Sequence, residues 1–146
     1  MCIRDRLAPT NGAMGYGFPA AIAAKLLDPN RDVICFAGDG CFMMYPQELA
    51  TAMQFGAPLI VIVVNNGMLA TIRMHQERHY PTRLASTELA NPDFVALARA
   101  FGAHGELVEN TEDFPDAYER ARRSGKPALI ELRTDPQQLT PTARLS

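Results

Sequence analysis

Two polar tripeptides carry the chemistry to be read from this sequence: Gly38-Asp39-Gly40 and Asn65-Asn66-Gly67. An aspartate and an asparagine offer hard oxygen atoms, which suit Mg2+ or Ca2+ rather than Zn2+. Mg2+ takes one or two carboxylate-type ligands and fills the rest of its shell with phosphate oxygens and water. The glycines beside Asp39 let backbone amides approach a bulky anion. Together these residues describe a metal-bridged diphosphate site. Each tripeptide alone is also an ordinary turn, so the pair gains meaning only if the chain brings the two together.

The surrounding elements are expected to do so. Val33-Ile34-Cys35-Phe36-Ala37 leads into the first tripeptide and the apolar run 59–64 leads into the second. Both runs are short, rich in Val and Ile and bounded by turn residues, the pattern of buried parallel strands. A helical stretch over about residues 46–55 supplies the crossover. Strands joined in this way end at the same edge of the sheet, where ligands bind, so Asp39 and Asn66 are expected to lie close together. The fold class that follows is α/β, a doubly wound parallel sheet with helices on both faces and right-handed crossovers.

The residues between and around the tripeptides add a resemblance. Gly38-Asp39-Gly40 followed across one crossover by Asn-Asn resembles the thiamine diphosphate motif. Gly38-Asp39-Gly40-Cys41-Phe42-Met43-Met44 with Gln47-Glu48-Leu49-Ala50-Thr51-Ala52 is similar to the acetolactate synthase branch of that family. Gly12-Ala13-Met14-Gly15-Tyr16-Gly17 looks like its glycine-rich segment, and the likeness runs from about Pro9 to the C-terminus. The resemblance implies the C-terminal, pyrophosphate-binding domain of a thiamine diphosphate-dependent enzyme. It implies thiamine diphosphate and Mg2+ as cofactors, with Asp39, Asn66 and the backbone carbonyl of Met68 as metal ligands. Gly40, Cys41, Ala70 and Thr71 would lie along the cofactor, with Gly12, Ala13 and Met14 at its other end. The Gly12 carbonyl would accept from the 4′-amino group, and Met14, an apolar and adaptable side chain, would wedge the cofactor into a bent form. Relatives usually carry glycine where this chain has Ala70 and often serine where it has Cys41.

The implied substrate is a small 2-oxo acid, and the implied reaction is acetolactate synthase-like carboligation after decarboxylation. A 2-oxo acid decarboxylase of the benzoylformate or pyruvate decarboxylase type is the alternative. The glutamate that activates the cofactor in this family comes from a pyrimidine-binding domain across a subunit interface, which implies a homodimer or homotetramer. No segment here matches that domain, so the chain alone is expected to be an inactive fragment. Two readings from other classes stay open: a non-catalytic Mg2+-diphosphate-binding accessory domain and an unrelated α/β nucleotide-binding module.

Composition narrows the rest. The chain has 146 residues, 47% of them hydrophobic, enough for one domain with a core. The net charge of −2 without a basic run argues against nucleic acid. The longest apolar run is too short to cross a bilayer, and no signal peptide is visible. Three cysteines without a C-x-x-C spacing suit a reducing compartment, expected to be the cytoplasm. Cys35 reads as core. Cys41 offers its backbone amide to phosphate rather than a catalytic thiol.

Residues 1–6 fit nothing that follows and resemble a translated sequencing-adaptor remnant; they are expected to be non-native or disordered. The domain proper is expected over residues 7–135, truncated at its N-terminus, with a tail over 136–146. Gly12-x-x-Gly15-x-Gly17 is not the dinucleotide fingerprint, and Pro19 suits the first turn of a helix running to about Leu27. His75 and His79 lie one helical turn apart but lack the glutamate placement of a zinc protease. Glu48 reads as a helix-surface carboxylate. Residues 80–90 form a polar loop, a lid or subunit contact. Asn91-Pro92-Asp93 reads as a helix start with Asn91 as the cap. Short strands are expected over residues 106–108 and 128–132, flanking a helix that opens at Thr111 and closes near Gly125.

Overall fold

The structure, a computed structural model, describes residues 6–140 and 143–144. Residues 1–5 of the expected non-native or disordered start lie outside the described residues, as do residues 141, 142, 145 and 146 of the tail. Chain order is α1 (Gly17–Leu27), β1 (Ile34–Gly38), α2 (Asp39–Phe42), α3 (Glu48–Gln54), β2 (Ile60–Asn65), α4 (Ala70–His79), α5 (Phe94–Ala100), β3 (His104–Val108), a 3-10 turn (Thr111–Asp113), α6 (Phe114–Arg123), β4 (Ala128–Arg133), β5 (Gln138–Thr140) and β6 (Ala143–Arg144).

Strands β1 to β4 form one parallel sheet in the order β1-β2-β4-β3. Helices α1, α3 and α5 cover one face. There Phe18, Ile22, Leu49, Ala52, Phe94 and Ala98 pack on Cys35, Val61, Val63 and Leu129. Helix α6 covers the other face through Ala117 and Ala121, against Ile60, Ile62 and Ile130. The alternation along each strand divides its side chains between these layers, as a doubly wound sheet requires. Phe18, Phe42 and Phe94 meet ring to ring, with centroids 5.4 and 5.8 Å apart, and anchor α1, α2 and α5 on one another. On the α6 face Phe36 of β1 stays 72% exposed.

Three local expectations change. The chain makes no loop after β1: it turns straight into the short helix α2, and the crossover helix proper begins later, at Glu48. Helix α5 starts at Phe94 and is capped by Asp93, whose Oδ1 accepts from the Ala96 amide at 2.8 Å. Asn91 is therefore not the cap, because the aspartate nearer the helix fills that role and frees Asn91 for other partners. In the tail, where no periodicity pointed to structure, β5 and β6 pair antiparallel.

Candidate functional site

Asp39 stands where β1 passes into α2, at the carboxyl edge of the sheet. Its side chain is only 3% exposed. Oδ1 accepts from the Gly40 amide at 2.8 Å, and Oδ2 accepts from the Gly67 amide at 2.9 Å and from Asn91 Nδ2 at 2.7 Å. Among the described residues no Lys, Arg or His forms an ion pair with it. A buried carboxylate without a counter-charge is costly. The three N–H donors offset part of that cost, and a cation would supply the rest.

The second tripeptide follows β2 across the neighbouring strand end, where Gly38 pairs in register with Val64. Asn66 Oδ1 accepts from the Met68 amide at 3.1 Å, a side-chain turn that holds the bend, and Gly67 takes φ +69° within it. The loop over residues 80–90 then runs back along this turn. The Leu69 amide donates to the Thr87 carbonyl at 2.7 Å and the Leu89 amide to the Gly67 carbonyl at 2.8 Å, with Met68 opposite Glu88. The Met68 carbonyl takes no part in that pairing. The Gln76 side chain straps the loop to α4, bonding both the amide and the carbonyl of Ala85 at 3.0 Å.

These parts surround one cavity of ≈ 650 Å³. Asp39, Gly40 and Cys41 line it from α2, Asn66 and Met68 from the turn after β2, and Ala70 and Thr71 from the start of α4. Gly12 and Met14 of the glycine-rich segment line it as well. Of the expected site residues only Ala13 stays outside; its amide donates to Asn11 Oδ1 at 3.2 Å. Gly40 is packed closely: a Cβ there would lie 2.8 Å from Leu69 Cδ2 and 3.5 Å from Met14 Cε, which places the Met14 thioether beside the Asp39 turn. The Gly40 amide is already engaged by Asp39 Oδ1, so it would meet an anion only by sharing that hydrogen bond. The expected ligands, the Asp39 carboxylate, the Asn66 side-chain oxygen and the Met68 carbonyl, offer only oxygen, which fits Mg2+. Another cavity, of ≈ 410 Å³, lies around Arg99, His104 and Lys126, near the start of β3 and away from the carboxyl edge.

The remaining candidates separate by environment. Burial pushes the Cys35 thiol up to about 11, which leaves it an inert core residue. Cys41 is half-buried at the cavity. His75 and His79 stack on the exposed face of α4, with centroids 6.1 Å apart. The Glu48 carboxylate accepts from Thr51 Oγ1 at 2.7 Å within its own helix.

Sequence reasoning missed three residues behind the cavity. Asn91 donates both to Asp39 and, at 2.9 Å, to Asn65 Oδ1. Asn65 Nδ2 in turn donates at 2.8 Å to Glu131 Oε1, and Glu131 is 2% exposed within β4. Asn91 was masked by the helix-start pattern around it. Glu131 did carry a signal: a carboxylate inside the apolar run Ala128-Leu129-Ile130-Glu131-Leu132 demands a partner.

Residues 4–132 match the family described as thiamine pyrophosphate enzyme, C-terminal TPP binding domain. The chain is 38% identical over 125 residues to the acetolactate synthase isozyme 2 large subunit of Escherichia coli strain K12, covering 85% of this chain and 23% of that protein. It is 42% identical over 127 residues to the acetolactate synthase of Mycobacterium leprae, covering 83% and 20%. In structure it resembles a thiamine diphosphate-dependent 4-hydroxybenzoylformate decarboxylase of Rhodococcus jostii RHA1, with TM-score 0.81 and 35% identity over 87% of this chain and 24% of that one. The chain thus spans about a fifth of the length of these curated relatives.

Proposed function

The chain belongs to the thiamine pyrophosphate enzyme family, as its C-terminal TPP-binding domain, and on that premise we propose that its cavity holds the cofactor's diphosphate through Mg2+. Asp39, the Asn66 side-chain oxygen and the Met68 carbonyl bind the cation. Cys41, Ala70 and Thr71 lie along the diphosphate, with Gly40 sharing its amide. Gly12 and Met14 contact the other end of the cofactor, and Met14 fixes its bend. The bound cofactor supplies carbanion stabilisation. The residues of this chain bind it, orient it and keep its charged end out of water.

This reading rests above all on the buried Asp39 carboxylate, which has no ionic partner among the described residues and opens on the same cavity as Asn66, Met68, Gly12 and Met14. The whole protein acts on a 2-oxo acid, and carboligation of the acetolactate synthase kind is favoured by the names of the relatives. The decarboxylase reading draws support from the structural neighbour. A pyrimidine-binding domain of a partner subunit completes the site in a homodimer or homotetramer located in the cytoplasm. Exposed Met14, Tyr16, Met44 and Tyr45 beside the cavity offer an apolar surface for that contact.

Titration calorimetry tests the cofactor assignment. Thiamine diphosphate should bind this chain with Mg2+ present and lose its heat signal when the metal is chelated. Binding that is indifferent to Mg2+, or tighter binding of ATP or NAD in its place, would overturn the assignment.

A further inference from the structure

We propose that Asn91 and Glu131 are positioning residues of the cation site, the two ends of a relay that presents the Asp39 carboxylate in one fixed orientation; this rests on the cation site proposed above. The relay has a direction, and the chemistry of its ends sets it. The Glu131 carboxylate sits in β4 and accepts from Asn65 Nδ2 at 2.8 Å and from Arg133 Nε at 3.2 Å. An ionised carboxylate can only accept, so Asn65 must turn its amino group toward Glu131. Its carbonyl oxygen then faces the other way, where it receives Asn91 Nδ2 at 2.9 Å and the Gly67 amide at 3.1 Å.

Asn91 is fixed by the same logic. Facing one carbonyl oxygen and one carboxylate oxygen, it must offer its amino group to both, and both hydrogens are used: one for Asn65, one for Asp39 Oδ2 at 2.7 Å. An inverted amide at either asparagine would set acceptor against acceptor. Asp39 Oδ2 is held between Asn91 and the Gly67 amide while Oδ1 is held by Gly40, so the rotamer is fixed before any cation arrives. Partners outside the ligand set orient ligands in this way and set metal affinity. The partners in this relay come from α2, β2, β4 and the segment before α5, so it ties the site to the sheet's interior as well as to its rim.

The test uses Mn2+ as probe, with saturating thiamine diphosphate, followed by electron paramagnetic resonance of the whole chain. Wild type should bind Mn2+ and Asp39→Ala should not. Asn91→Ala should bind about 10- to 100-fold more weakly, with a broadened signal at saturation because Asp39 samples several orientations. Its metal-free melting temperature should stay within a few degrees of wild type, since Asn91 is a half-exposed loop residue. Should Asn91→Ala fail to fold, Asn91→Ser, which keeps a donor, should show the same broadening and a smaller loss. Wild-type affinity and line shape in the Asn91 variant would overturn the relay and leave the cation site standing. So would a loss of affinity that only tracks a lowered melting temperature with an unchanged line shape. Absence of Mn2+ binding by wild type, or wild-type binding by Asp39→Ala, would overturn the cation site and the relay with it.

Discussion

Replacing Asp39 with alanine should barely change the stability of the ligand-free chain. That runs against the usual rule, in which removing one partner of a buried polar set costs about 3–5 kcal/mol. Three hydrogen bonds are lost, but two of the donors keep another acceptor. The Gly67 amide and Asn91 Nδ2 both still reach Asn65 Oδ1, at 3.1 and 2.9 Å. The Gly40 amide loses the acceptor it has here, and so does the Asn91 hydrogen that served Asp39. Asn91 is half-exposed and its hydrogen can turn to water, so the main cost is about 1–3 kcal/mol for the buried Gly40 donor. Against this stands the removal of a carboxylate that is 3% exposed and has no ionic partner among the described residues, whose desolvation costs several kcal/mol. The two nearly cancel, so the net change should lie within about 2 kcal/mol of zero, or roughly 6 °C in melting temperature. Ligand separates the variants. Mg2+ and thiamine diphosphate at about 100 times their dissociation constant should stabilise wild type by about 2.7 kcal/mol, close to 8 °C, and Asp39→Ala by nothing measurable. Differential scanning fluorimetry with and without ligand reads both. A drop beyond about 10 °C in the ligand-free variant would show that the carboxylate is a structural cap and refute the reasoning. So would a ligand shift equal to that of wild type.

Three other outcomes follow from local geometry. Iodoacetamide at pH 8, read peptide by peptide in a mass spectrometer, should modify Cys41 far faster than Cys35, whose thiol is pushed up to about 11 by burial. Mg2+ with thiamine diphosphate should protect Cys41, which lines the cavity, and equal labelling with and without ligand would count against that placement. Gly12→Ala should cost about 1 kcal/mol in chemical denaturation, the strain of φ +68° with nothing within 4 Å. Gly15→Ala should cost about 2–4 kcal/mol, because φ +83° is joined by overlap at 2.7 Å with the Tyr45 ring and 2.8 Å with Met44 Cβ; equal costs would refute that packing. Hydrogen bonding from Arg120, with a further one from His104, holds the Glu106 carboxyl below its usual range. A lowered folded value stabilises above the unfolded carboxyl range and loses that contribution as pH falls through the folded value. Arg120→Ala should therefore melt below wild type at pH 6, and the gap should close in acid; a gap that persists at pH 2 would contradict the assignment.

The strands around the site were legible because a parallel sheet buries both faces of its central strands and leaves continuous runs such as Ile60–Asn65. The convergence of the two tripeptides was legible because strand ends joined by one crossover share an edge. What stayed hidden depended on distance along the chain. Asn91 meets Asp39 across 52 positions and Asn65 across 26, and no short-range pattern encodes such a contact. Around Asn91 two plausible caps competed, and the nearer, Asp93, took the helix. Helix α2 was hidden for another reason: the glycines of Gly38-Asp39-Gly40 suit a loop, and only the burial of Phe42 against Phe18 and Phe94 draws that turn into a helix.

The most direct test is crystallography of the chain grown with Mn2+ and thiamine diphosphate, using the anomalous signal to locate the metal. The account predicts a single strong peak within about 2.2 Å of an Asp39 carboxylate oxygen, Asn66 Oδ1 and the Met68 carbonyl, touching diphosphate oxygens. A peak bound elsewhere, or a diphosphate seated in the cavity with no metal beside Asp39, would contradict it.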